Sequence, residues 1–160
     1  MNWKECILED KKISVIMGIY NCEKTLVDAL ECIVNQTYKN WEVIMCDDGS
    51  TDNTIKIAEL YIKKYPDKFF LLKNRENLGL NTTLNRCLKV AKGNYIARMD
   101  GDDLCSIERL KKEVQVLEQH PEIAIVSTDM EFFDEKGTWG KTNSKKYPTK
   151  LDFLFSTQFC

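Results

Sequence analysis

Ile13-Ser14-Val15-Ile16-Met17-Gly18-Ile19, followed by Tyr20-Asn21-Cys22 and then by apolar residues at Leu26, Leu30, Ile33 and Val34, is the stretch on which the reading of the fold turns. Its first seven residues form a short apolar run rich in β-branched side chains, the composition of a strand buried on both faces. The spacing beyond Lys24 is helical as far as Asn35, with Tyr20-Asn21-Cys22 as the connecting turn. A strand of this kind followed at once by a helix is how a parallel sheet begins, because a parallel neighbour is reached only by a crossover.

The same unit recurs downstream. Trp41 to Cys46 predicts a second strand, Asp47-Asp48-Gly49-Ser50-Thr51-Asp52 a polar turn, and Ile55, Ala58, Ile62 and Tyr65 a helix that Pro66 stops. Phe69 to Leu72 predicts a third strand. Leu80, Leu84, Leu88 and Ala91 mark a third helix, with Gly93 as the residue just past its end. Tyr95 to Met99 predicts a fourth strand, Ile107, Leu110, Val114 and Leu117 a helix stopped before Pro121, and Ile123 to Ser127 a fifth strand. The expected fold class is α/β, an open, mostly parallel sheet covered by helices. Such sheets bind ligands outside the carboxyl ends of their strands, where three polar turns fall here: Tyr20-Asn21, Asp47-Asp48 and Asp100 to Asp103.

Composition bounds the function. With 160 residues, 43% of them apolar and 30% charged, the chain suits one soluble globular domain with a real core. A net charge of −2 leaves no basic footprint for nucleic acid or for a polybasic membrane tether. The seven cysteines show no Cys-x-x-Cys spacing and read as reduced thiols, several of them small buried hydrophobes such as Cys46 and Cys87. The single histidine, His120 at a helix end, leaves no pair for zinc or for a Ser-His-Asp triad. The start has no signal-peptide core, and no run of about 18 apolar residues occurs, so a cytoplasmic chain is expected. Leu151 to Cys160 is apolar with no closing turn, and the chain is expected to be the N-terminal portion of a longer protein.

The chemistry concentrates at the strand ends. Asp100, Asp102 and Asp103 place three carboxylates within four residues directly after Met99, with Gly101 relaxing the backbone between the first two. Clustered like charges repel, and hard carboxylate oxygens suit Mg²⁺ or Mn²⁺, which keep positions open for substrate phosphate oxygens. The competing reading is a solvated acidic turn ahead of a helix whose N-terminus favours anions. Asp47 to Asp52 reads both as a helix-capped turn, with Asp52 the better cap, and as a place where Asp47 or Asp48 accepts an N–H from a base. An EF-hand fails there, since Asn53 stands where the loop needs glycine and a strand precedes it. Arg75 lies close enough to meet an anion, or is a surface arginine. Arg98, inside a strand that looks buried, is expected to pair with Asp47, Asp48 or the acidic cluster. Neither Gly-x-Gly-x-x-Gly nor the P-loop pattern occurs, which counts against dinucleotide dehydrogenases and P-loop NTPases.

Taken together, Val15 to Asn21, Asp47 to Asp52, Asn77-Leu78-Gly79 with Asn85, Ala91 to Ile96 and Met99 to Asp103 resemble the family 2 glycosyltransferases of GT-A fold, from about Lys12 to Gly137. The resemblance implies a Rossmann-like nucleotide-sugar-binding domain over 1–160, with a core over 12–137 and the truncated start of an acceptor-side region over 138–160. It implies inverting transfer from a nucleoside-diphosphate-sugar, usually a UDP-sugar, to a glycan or lipid-linked saccharide, in polysaccharide biosynthesis. Peripheral association of the full-length enzyme with the cytoplasmic face of the membrane belongs to the same expectation. Tyr20 matches the aromatic position beside the base, and Asp48 or Asp47 the carboxylate on the uracil edge. The resemblance further implies nucleotide contacts at Ile19, Gly79, Asp100 and Gly101, and Arg75 lies near a position that often meets the nucleotide. Asp100, Asp102 and Asp103 are the expected ligands of Mn²⁺ or Mg²⁺, with Asp102 or Asp103 the more direct. Gly18 stands where the family commonly has proline. The family's catalytic base comes later than Cys160, and Asp129, Glu131 and Asp134 are not expected to replace it. Two alternatives are a non-catalytic nucleotide-binding module and a sugar-1-phosphate nucleotidyltransferase, whose glycine-rich basic N-terminal loop is not seen here.

Overall fold

The computed structural model describes residues 11–143. Its elements are β1 (Ile13–Ile19), α1 (Leu26–Val34), β2 (Trp41–Asp47), α2 (Thr54–Lys64), β3 (Phe69–Lys73), α3 (Leu80–Val90), β4 (Tyr95–Arg98), α4 (Arg109–Gln119), β5 (Glu131–Asp134) and β6 (Gly137–Lys141). The first four strands form one sheet in the order β3-β2-β1-β4, parallel throughout.

The pleat sorts β1 and β2 onto two faces. Ile13, Val15, Met17 and Ile19 join Val43 and Met45 in the larger core beneath α1, α2 and α4, whose Leu26, Leu30, Ala58 and Leu110 are buried there. Ile16, Ile44 and Cys46 face the other way and are covered by Leu84 and Cys87 of α3. Both central strands are therefore buried on both faces, which is why they read as continuous apolar runs. Each buried aliphatic side chain contributes about 1.5–3 kcal/mol of transfer free energy.

The strand order sets the crevice. The chain runs outward from β1 through β2 to β3 and then crosses to the other side of β1 to make β4. The order thus reverses between β1 and β4, and the carboxyl ends of those strands carry Tyr20-Asn21 and Asp100 to Asp103. The opposite ends are closed by a buried polar lock. Glu42, 1% exposed, accepts from Ser14 Oγ at 2.7 Å and from the Lys92 N–H at 2.9 Å, and pairs with Lys12. A buried charge is tolerated there because every near group is a donor or a cation.

Several expectations are corrected. Ile123–Ser127 has strand composition but no ladder; Ala124–Ser127 and β4 instead line a hollow of about 580 Å³. The additional strands are β5 and β6, an antiparallel hairpin closed by Gly137 at φ 114. β4 is consequently an edge strand, and Arg98 is exposed rather than buried. On α3 the buried face is Thr83 and Cys87, while Leu80 and Leu88 are each 44% exposed. Gly93 is not a helix C′ residue: α3 ends on Ala91 in extended geometry. A Cβ on Gly93 would lie 2.4 Å from the Ser14 nitrogen, so close strand approach is what requires glycine there. The apolar segment from Leu151 and the rest of 144–160 lie outside the described residues.

Candidate functional site

Two loops interlock above the ends of β1 and β2. Asn21, at φ 46, donates its N–H to Ser50 Oγ at 3.0 Å, and its Oδ1 accepts the Thr51 N–H at 2.8 Å. The Cys22 N–H reaches Thr54 Oγ1 at 2.8 Å, and the Glu23 N–H reaches Asp52 Oδ2 at 3.1 Å. Glu23 Oε2 in return accepts the Asn53 N–H at 2.9 Å. Ser50, Thr51, Asp52 and Thr54 therefore act as a clamp on the β1 loop, and Tyr20, 50% exposed, is held out at its tip. Asp52 is not the cap expected of it: the N-cap of α2 is Asn53, which makes no side-chain cap bond, and Asp52, one residue earlier, accepts the Thr54 N–H at 2.9 Å as a local turn. Burial alone would raise the Asp52 carboxyl, but hydrogen bonds from Thr54 and Glu23 outweigh it and hold the group below the usual carboxylate range.

The adjacent aspartates divide the work. Asp48 is 4% exposed and its oxygens are taken: Oδ1 by Asn74 Nδ2 at 2.6 Å and the Leu78 N–H at 2.8 Å, Oδ2 by the Gly79 N–H at 2.9 Å. Burial works against its charge, yet the Leu78 and Gly79 amides with Asn74 and Thr83 hold its carboxyl below the usual range. Arg86 fixes Asn74 from behind by donating to Asn74 Oδ1 and, at 3.1 Å, to the Lys73 carbonyl. Asp47 is 1% exposed and differs in one atom. Its Oδ2 accepts the Gly49 and Ser50 N–H groups, both at 3.1 Å, while its buried Oδ1 has no partner. A buried carboxylate oxygen without a donor is costly, and a donor from water or from a bound group would relieve it.

The third acidic turn is built on glycine. A Cβ at Gly101 would lie 3.0 Å from Cys22 Sγ and 3.3 Å from Ile19 Cγ2, so the turn rests directly on the end of β1. Ile19 is thus floor rather than wall, and its carbonyl accepts the Asp48 N–H at 2.9 Å. Arg98 Nη2 pairs with Asp100 Oδ2 at 2.7 Å, the partnership with the acidic cluster expected of it, though on an exposed edge. Asp102 and Asp103 are exposed. Burial and then the charges of Asp100 and Asp102 push the Asp103 carboxyl up against the opposing pull of Arg109, while Arg98 offsets the charge of Asp100. Among the described residues no three acidic, histidine or cysteine side chains converge as a ready-made metal cage. The donor set still fits Mg²⁺ or Mn²⁺, hard ions held by one or two carboxylates with water and phosphate oxygens completing the shell.

Of the remaining expected nucleotide contacts, Gly79 is at φ 84 with its N–H already spent on Asp48, and Arg75 is exposed and takes part in no hydrogen bond or ion pair among the described residues. Asp129, Glu131 and Asp134 sit on or beside the β5–β6 hairpin, where Glu131 pairs with Lys141 and Asp134 accepts the Lys136 N–H. Sequence reasoning missed Asn74, Arg86, Thr25 and Gln36. None carries a pattern of its own, and their roles exist only through contacts with segments distant in the chain.

Comparison with known proteins gives this geometry a family. EpsE of Bacillus subtilis (strain 168) is 48% identical over 149 residues, 93% of this chain and 54% of EpsE. The Escherichia coli UDP-Glc:alpha-D-GlcNAc-diphosphoundecaprenol beta-1,3-glucosyltransferase WfaP is 38% identical over 107 residues, 66% of this chain and 41% of WfaP. Among solved structures, S. aureus TarS 1-349 in complex with UDP superimposes with a TM-score of 0.64 at 32% identity, covering 69% of this chain and 33% of that one. The chain thus spans about half or less of the length of these relatives. No helix among the described residues is long and apolar enough to cross a membrane. The sequence profile described as Glycosyl transferase family 2 matches residues 14–159, and the chain belongs to that family.

Proposed function

We propose that this chain forms the donor-binding part of an inverting glycosyltransferase that takes a UDP-sugar with Mn²⁺ or Mg²⁺ and serves a glycan or lipid-linked saccharide acceptor. The observation that carries the reading is the pairing of an acceptor without a donor, Asp47 Oδ1, with an acidic turn on the same carboxyl edge of the sheet, beyond β1, in which Asp102 and Asp103 are exposed and make no ion pair among the described residues. Uracil offers one ring N–H, the donor that Asp47 Oδ1 lacks, and Tyr20 is exposed beside it to cover a base face. Asp48 then serves as the frame of the pocket, not as a base contact. Asp102 and Asp103 hold the cation with Asp100 in support, and Arg75 lies free to meet phosphate. The bound cation supplies positive charge to a diphosphate leaving group whose negative charge grows as the glycosidic bond breaks. A base that deprotonates the acceptor hydroxyl completes the reaction, and Asp129, Glu131 and Asp134 are not assigned that role. The UDP-bound TarS fragment and the UDP-glucose-dependent WfaP support the choice of donor class.

The test is a thermal-shift titration of the chain with UDP, with and without Mn²⁺. UDP is expected to raise the Tm, and Mn²⁺ to enlarge the shift; no shift with either would overturn the reading. A shift with UDP alone, unchanged by Mn²⁺, would leave a metal-independent nucleotide module in its place.

A further inference from the structure

The acidic turn does not hold itself in place. Thr25 is the N-cap of α1, yet its hydroxyl makes no cap hydrogen bond to its own helix. It donates to the Gly101 carbonyl at 3.0 Å, at the apex of the acidic turn. Beyond the other end of the same helix, Gln36 is wholly buried and spends its amide on the stem that leads out of the turn. Its Nε2 donates to the Ser106 carbonyl at 2.7 Å and to the Cys32 carbonyl at 3.1 Å. Its Oε1 accepts the Leu110 N–H at 3.0 Å. That N–H is one of the amides a helix start leaves without an internal partner, and α4 has no side-chain cap of its own. Thr37 adds a third tie, its N–H reaching the Ile107 carbonyl at 2.8 Å.

We propose that Thr25 and Gln36 are positioning residues for the cation site, α1 acting as a splint that grips the Asp100–Asp103 turn at its apex and its stem. The inference rests on the reading of that turn as the place where the cation is held. Of the three carboxylates within four residues, Asp100 is paired with Arg98, while Asp102 and Asp103 have no ion-pair partner among the described residues and repel their neighbours. Backbone ties made before the ion arrives remove an ordering cost that the binding step would otherwise carry. Tyr20 and Asp47 are held by separate contacts, the Asn21–Ser50 clamp and the Gly49 and Ser50 amides. Loss of the splint is therefore expected to weaken cation binding and to spare recognition of the base.

Thr25→Val removes the donor with little change of shape, Thr25→Ser restores it, and Gln36→Met empties the second tie. The measurement is the Mn²⁺ concentration that half-saturates the UDP-dependent Tm shift, beside UDP affinity in the presence of a chelator. Thr25→Val is expected to raise the Mn²⁺ requirement about fivefold, the worth of one neutral hydrogen bond, with metal-free UDP affinity unchanged. Thr25→Ser returns the parent value, and Gln36→Met moves it the same way as Thr25→Val with a lower Tm. Should Gln36→Met fail to fold, the Thr25 pair decides alone. A lowered Tm with an unaltered Mn²⁺ requirement in Thr25→Val, or no rescue by serine, overturns the proposal and leaves the functional reading standing. No Mn²⁺ dependence in the parent protein overturns that reading and this inference with it.

Discussion

The Asp47-Asp48 turn and the Asp100–Asp103 turn are both acidic, both follow a strand of the same parallel sheet and both sit at its carboxyl edge, yet they are opposites in electrostatic state. Around Asp48 the fold supplies a donor for every oxygen, and its charge is stabilised despite burial. At Asp103 burial and the neighbouring carboxylates Asp100 and Asp102 outweigh the pull of Arg109, and its charge is disfavoured. One turn spends its carboxylates on holding three segments of backbone together. The other keeps them outward at the cost of repulsion, the arrangement expected where an external cation completes the site. Like sequences of aspartate thus divide, according to where the amides are, into carboxylates held by the fold and carboxylates left facing solvent.

The largest effect that sharpens this contrast is on stability. Asp48→Ala strands the Asn74 side-chain amide and the Leu78 and Gly79 N–H groups in a buried place, and is expected to cost about 3–4 kcal/mol in chemical denaturation. Asp102→Ala, on an exposed turn, is expected to change stability by less than about 0.5 kcal/mol and to raise rather than lower it. Equal losses at both positions would erase the distinction between scaffold and ligand.

Binding gives the reverse ranking. Asp102→Ala is expected to weaken the Mn²⁺-dependent part of UDP binding by at least the about 10–100-fold that loss of an outer-sphere partner costs in metal sites. The check is the metal titration of the thermal shift. A retained Mn²⁺ increment would assign the ion to Asp100 and Asp103 alone.

A graded third effect follows from the scaffold carboxylates. Asp48 and Glu42 are both held below their ordinary values: burial opposes each charge, and hydrogen bonds at Asp48, or Lys12 with Ser14 and Lys92 at Glu42, outweigh it. For depressed carboxyls the unfolded chain takes up protons first, so their stabilisation is complete above about pH 4–5 and is lost as pH falls through the folded values. The Tm of the parent is expected to fall steeply below about pH 4, and Asp48→Asn to flatten that fall, measured by thermal melts across pH.

How far the sequence reaches is visible in the same two turns. Period and composition locate β1, β2 and the three polar strand ends, because burial on both faces leaves an unbroken apolar run. They do not tell Asp47 from Asp48, since the distinction depends on Leu78 and Gly79, about thirty residues away, arriving with their amides free. Ile123–Ser127 shows the converse limit. Strand propensity is present, but propensity does not supply a paired edge, and the segment lines a hollow beside β4 without joining its ladder. Gly93 stands out in the sequence without showing its cause, because helix caps and close approach both select glycine.

The smallest predicted effect concerns the residue that belongs to both regimes. Asp47 is scaffold through Oδ2, which holds the Gly49 and Ser50 amides, and unpartnered through Oδ1. Asp47→Asn keeps one oxygen for those two amides and turns an NH₂ toward the unpartnered side, so folding is expected to change by no more than about 1 kcal/mol. Recognition of the base should change in kind. Uracil presents an N–H at the ring position where cytosine presents an acceptor, so an amide donor there repels the first and accommodates the second. UDP affinity is expected to fall up to about tenfold, about 1.4 kcal/mol, while CDP affinity holds or rises, so that the preference between them narrows. Competition titrations of UDP and CDP against the parent and Asp47→Asn measure this directly. An unchanged ratio would move base recognition away from Asp47 Oδ1 and leave both aspartates of the first turn as scaffold.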